Sequence, residues 1–74
     1  MQEFYEGLAE ILEVPPAEIN SSFDLTTHAW DSLAVVSTIA LCDDCFNIML
    51  SGQDLGKCQT VAEIEALIAA KRPA

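Results

Sequence analysis

The sequence predicts an all-α fold: a four-helix bundle with a long loop between helices one and two and a short third helix. Three observations carry this. Apolar residues recur at helical spacing in three separated stretches, residues 2–13, 31–46 and 60–72. The second and third stretches open on good cap residues, Asp31 and Thr60. Hydrophobic residues make up 51% of a 74-residue chain, too many for a disordered segment and enough for one small core. A single domain over residues 1–74 is expected.

In the first stretch, "QEFYEGLAEILE", Phe4, Leu8, Ile11 and Leu12 fall on one face, and Glu3, Glu6, Glu10 and Glu13 line the other. Pro15 and Pro16 end this helix, because the residue before a proline is pushed out of helical geometry. Pro16 then opens a single turn through Ile19, with Val14 and Ile19 as core anchors. "NSSFDLTTH" reads as a long loop of residues that bond their own backbone, pinned to the core by Phe23 and Leu25. The second helix runs from Asp31 to about Phe46. Leu33, Val36, Ile39, Ala40 and Phe46 give it an apolar surface wider than one core stripe needs, so part of it is expected to meet a partner. "NIML" is a buried extended connector. Ser51 caps a helix of one or two turns that stops at Gly56. In the last helix Thr60 and Glu63 make a capping box, and Val61, Ile64, Leu67 and Ile68 form the stripe. Lys71 and Arg72 suit its negative end, and Pro73 stops it.

Twelve acids face three bases, a formal net charge of −9. That potential disfavours nucleic acid and anionic membrane and favours partners with basic docking patches. The sequence has no apolar run of membrane-spanning length and no signal-peptide pattern, and its three cysteines do not make a disulfide framework. A cytoplasmic monomer is expected.

The stretch "AWDSLAVV", residues 29–36, places a serine at the first position of a helix, behind an acid that caps it. The Ser32 hydroxyl there faces solvent, where a modifying enzyme can reach it. A phosphate at that point meets free backbone N–H groups and the positive end of the helix dipole. Asp31-Ser32-Leu33 resembles the Asp-Ser-Leu motif of the acyl carrier protein family, and the resemblance covers nearly the whole chain. "ILEVPPAEI" is similar to the family's end of helix one, and "SSFDL" holds its loop phenylalanine. The interval from Phe46 to Thr60-Val61 matches its spacing. The resemblance implies an acyl-carrier-protein-like four-helix bundle, with 4'-phosphopantetheine attached to Ser32 through a phosphodiester. An acyl or aminoacyl group would ride on the arm's thiol as a thioester. By the same resemblance Asp31 is both helix cap and motif acid. Leu33 is a hydrophobic contact for partner enzymes. Leu33, Val36, Ala40, Asp43 and Asp44 make the partner face. The implied partners are a phosphopantetheinyl transferase, a loading ligase and acyl-transferring enzymes. The protein itself has no catalytic site on this reading.

Several residues depart from the family pattern. Ala34 and Ser37 stand where the family carries acids, Trp30 replaces a small residue, and the loop holding His28 is one residue longer. These point to a specialised carrier, similar to free-standing carriers of polysaccharide or secondary-metabolite synthesis. A peptidyl carrier ranks second, because "HAWDS" lacks that family's paired glycines. Trp30 is expected to pack beside the prosthetic-group site. Three rival readings fit parts of the sequence. Cys42, Cys45, Cys58 and His28 could make a zinc site, although the "CDDC" pair falls within a helix. Cys42 and Cys58 are expected as buried small hydrophobes and Cys45 as more exposed. Ser32, His28 and Asp31 or Asp24 could make an esterase site, but no nucleophile elbow is present. An unmodified acidic docking module is the third.

Overall fold

A computed structural model describes residues 2–28 and 30–72. It is helical throughout and forms an acyl-carrier-like bundle: α1 (Gln2–Leu12), α2 (Ser32–Phe46), α3 (Gly52–Gly56) and α4 (Val61–Lys71). Two short 3-10 turns, Pro16–Glu18 and Leu25–Thr27, break up the long connection between α1 and α2. The expected stop at Pro73 lies outside the described residues.

The helix α1 buries Phe4, Leu8, Ala9 and Leu12, while Ile11 is only half-buried. It ends one residue before the expected Glu13. Glu13 adopts a left-handed conformation, φ 59°. Its N–H donates to the Glu10 carbonyl at 3.3 Å, and the Val14 N–H reaches back to the Ala9 carbonyl at 3.0 Å. This paired closure turns the chain before the prolines are reached. Gly7 lies where α1 meets α2: a Cβ there would stand 2.5 Å from a Leu41 methyl, so a larger residue would have to displace the Leu41 side chain.

On α2 the core face is not the most apolar one. Ala34, Val35, Thr38 and Cys42 are buried, whereas Leu33 is 75% and Val36 61% exposed. Ile39 and Phe46 are half-buried and Ala40 is exposed. The Thr38 hydroxyl lies in the core without penalty because it donates to the Ala34 carbonyl at 2.8 Å. The "NIML" segment alternates, with Ile48 and Leu50 inward and Met49 66% exposed. Leu55 of α3 and Val61, Ile64 and Ile68 of α4 complete the core with Leu25 from the loop. Phe46 packs on Phe4, ring centroids 5.7 Å apart, and Arg72 covers its other side at 5.3 Å.

The long loop is ordered by α4. The Val61 N–H donates to the Phe23 carbonyl and the Ala62 N–H to the Ser21 carbonyl, while the Leu25 N–H donates to the Gln59 carbonyl. Glu63 accepts from the N–H groups of Thr60 and Gln59, the acidic half of the expected capping box. The Glu65 carboxylate also accepts from the Tyr5 and Ser21 hydroxyls, each at 2.6 Å, tying α1 and the loop to α4. Glu65 thereby raises the Tyr5 phenol above its ordinary pKa, since ionising it would break a hydrogen bond to a carboxylate.

A non-glycine residue held left-handed costs about 1 kcal/mol. Replacing Glu13 by Gly is therefore expected to raise the thermal midpoint by roughly 4–8 °C, and Glu13→Val to lower it. Calorimetry of both variants checks the closure, since equal midpoints would contradict it.

Candidate functional site

The N-terminus of α2 is built from three consecutive residues. Asp31 is the N-cap: its backbone is extended and its carboxylate accepts from the Ala34 N–H at 3.0 Å. The Asp31 carbonyl accepts the first helical bond, from the Val35 N–H at 2.9 Å. Ser32 is the first helical residue and is exposed, as is Leu33 beside it. The N–H groups of Ser32 and Leu33 stand ahead of the first helical bond and point out of the helix end.

The other described helix starts on this side of the chain are closed. Ser51 caps α3 through the N–H groups of Gln53 and Asp54. The loop carbonyls of Ser21 and Phe23 cover the first N–H groups of α4. The open helix end thus coincides with the exposed serine. With the aligned dipole it forms a place where an anionic phosphate is stabilised.

A groove of about 530 Å³ runs beside this end, lined by Trp30, Asp31, Ser32, Val35, Val36, Gly52 and Gly56. Trp30 is half-buried and its indole N–H donates to the Leu55 carbonyl at 3.0 Å, which fixes the ring between loop and α3. The expectation that Trp30 packs beside Ser32 therefore holds. Val35, Gly52 and Gly56 were not foreseen as part of this site. The i, i+4 spacing of the two glycines in "SGQDLG" was the available signal, since it leaves one side of α3 bare.

The five residues expected to make the partner face, Leu33, Val36, Ala40, Asp43 and Asp44, are all exposed on α2. It does not assemble the rival sites. Asp31 is committed as a cap. Asp24 is committed to the Thr26 N–H at 2.9 Å and hydroxyl at 2.6 Å, which hold its carboxyl below the usual range. His28 stacks on Phe23, ring centroids 4.8 Å apart. Cys42 and Cys58 are buried among core residues, and among the described residues no three His, Cys, Asp or Glu side chains gather as metal ligands.

The family model for the phosphopantetheine attachment site matches residues 2–68. The chain belongs to this family. No curated protein and no solved structure matches it. As a phosphopantetheine carrier it bears 4'-phosphopantetheine covalently and works with a phosphopantetheinyl transferase and partner enzymes. The residues present fit that group: an exposed hydroxyl for the phosphodiester, outward N–H groups for its oxygens, and a partly apolar groove beside them. No described helix of this carrier is long and apolar enough to cross a membrane.

Burial pushes the Cys42 and Cys58 thiols up to about 11, and Cys45 is raised more modestly. Both core thiols are neutral in the folded carrier at physiological pH. Unfolded thiols ionise near 9.0, so between that value and about 11 the unfolded chain binds fewer protons than the folded one. Stability is accordingly expected to fall as pH rises through that window. A thiol-specific reagent is expected to label Cys45 first, with Cys42 and Cys58 reacting only on unfolding. Equal labelling rates for all three would contradict the packing.

Proposed function

We propose that Ser32 is the attachment residue and that the chain is a specialised acyl carrier. It presents an acyl or aminoacyl group to partner enzymes and has no catalytic site of its own. The observation that carries this is the pairing of an exposed serine hydroxyl with the first N–H groups of α2, those of Ser32 and Leu33, which no bond among the described residues takes. The prosthetic group supplies a terminal thiol that holds the cargo as an activated thioester.

The chain's own residues hold and present that group. Asp31 turns its carboxylate back onto the Ala34 N–H, so its charge is partly spent within the helix. The Ser32 and Leu33 N–H groups are the hydrogen-bond donors for the phosphodiester oxygens. Trp30, Val35 and Val36 give the arm an apolar wall, and Gly52 and Gly56 keep side chains off the opposite one.

Partner recognition on this reading is more apolar than ionic near the serine. Leu33 and Val36 are the most exposed large hydrophobic side chains on α2, and Ala34 and Ser37 bring no charge there. Asp43 and Asp44 give basic patches a contact further along. A loading ligase and acyl-transferring enzymes would dock on this face. A net charge of −9 opposes self-association, and three unpaired cysteines suit a reducing compartment, so we assign a cytoplasmic monomer acting as one domain.

Incubation with coenzyme A and a broad-range phosphopantetheinyl transferase is expected to add one arm by mass spectrometry, and none to Ser32→Ala. An arm on Ser32→Ala, or none on the parent chain, would overturn the assignment, the latter in favour of a docking module that carries nothing. Modification is also expected to shift the fluorescence of Trp30, the sole tryptophan. An unchanged spectrum would remove the groove from the arm's path.

A further inference from the structure

The helices α1 and α2 enclose a second groove, of about 370 Å³, lined by Gly7, Glu10, Ile11, Ser37, Ala40, Leu41 and Asp44. It lies about 8–18 Å beyond Ser32 along α2, at 1.5 Å per residue. Its floor is apolar because Gly7 lets the two helices close onto Leu41. Ile11 and Leu41 are half-buried and Ala40 is exposed, so a patch of hydrocarbon remains uncovered in a chain that buries its other α1 stripe residues.

The rim is acidic on both sides, with Glu10 on α1 and Asp44 on α2. The chain's three bases lie on other elements: Lys57 follows α3, Lys71 and Arg72 end α4, and Arg72 is engaged by Phe46. An apolar floor between two acids, one on each helix, is complementary to a helix with aliphatic anchors flanked by lysine or arginine. A second copy of this acidic chain would bring like charge to like.

We propose that the α1–α2 groove is a docking site for a basic amphipathic helix of a partner protein, separate from the end that holds Ser32. The partner's aliphatic side chain sits between Ile11 and Ala40 over Leu41, and its cations reach Glu10 and Asp44. A partner seated there covers Ala40 and Asp44, the far end of the proposed α2 face, and leaves Leu33 and Val36 beside Ser32 open. The inference does not rest on Ser32 being the attachment residue.

The test is a nitrogen-15 amide NMR titration of the full chain, in phosphopantetheinylated and in unmodified form. Two synthetic helical peptides with identical leucine spacing serve as probes, one otherwise lysine-rich and one glutamate-rich. The lysine-rich peptide is expected to move the amides of Gly7, Ile11, Ser37, Ala40, Leu41 and Asp44 equally in both forms, and the glutamate-rich one to move none. Glu10→Gln with Asp44→Asn is expected to weaken binding roughly fivefold to tenfold, the effect of two partly exposed ion pairs. Ala40→Phe, at an exposed position, fills the groove and abolishes binding. Shifts confined to residues 30–36, binding undiminished in these variants, or no binding would overturn the proposal. So would a concentration-dependent dimer broken by Ala40→Phe, which would make a second copy the occupant.

Discussion

The constraint on which the structure turns is the accounting of backbone N–H groups at helix starts. Each α-helix begins with donors that have no partner inside it. In this chain α4 gives its first donors to the loop, through the carbonyls of Phe23 and Ser21, and α3 gives two to the Ser51 hydroxyl. At α2 the Asp31 carboxylate takes, among the described residues, only the Ala34 N–H. The loop that could have covered the rest is held against α4, and Trp30 turns away to the Leu55 carbonyl. The same hydrogen bonds that order a long loop in a small domain thus leave one helix end open, with a serine on it.

On the proposed reading, that arrangement separates stability from function along α2. Its inward face, Ala34, Val35, Thr38 and Cys42, is small and only moderately apolar, and it lets α2 approach the core closely. Its outward face carries the larger hydrophobes, Leu33 and Val36. Water contact with those side chains forgoes burial that a purely structural helix would have used. A carrier that meets several enzymes in turn uses such a face repeatedly, and the acids further along set the charge of the encounter. The α1–α2 groove extends the same logic to a second side.

Much of this was legible in the residues. Periodicity located α1, α2 and α4, and the Ser51 cap with the Gly56 stop located α3; the Asp31 and Ser51 caps and the Glu63 carboxylate formed as the side-chain chemistry required, and Cys42 and Cys58 took core positions. Three features were not legible. The turn at Glu13 is a backbone closure that glutamate does not advertise, because glycine or asparagine is the usual sign of a left-handed residue. The core face of α2 was hidden because alanine and threonine, at Ala34 and Thr38, score as less apolar than Leu33 and Val36, which face water. The groove beside Ser32 depends on Val35 and on two glycines from an element distant in sequence. Only the packing of α3 against α2 and Trp30 brings these together.

The most direct measurement is the amide proton spectrum of the chain before and after phosphopantetheinylation. If the open end of α2 receives the phosphodiester, the amide protons of Ser32 and Leu33 move downfield most, as they gain an anionic acceptor. The amides of Gln53, Val61 and Ala62 at the closed helix ends stay in place. Largest shifts at those closed ends, or unshifted Ser32 and Leu33 amides in fully modified protein, would contradict the account.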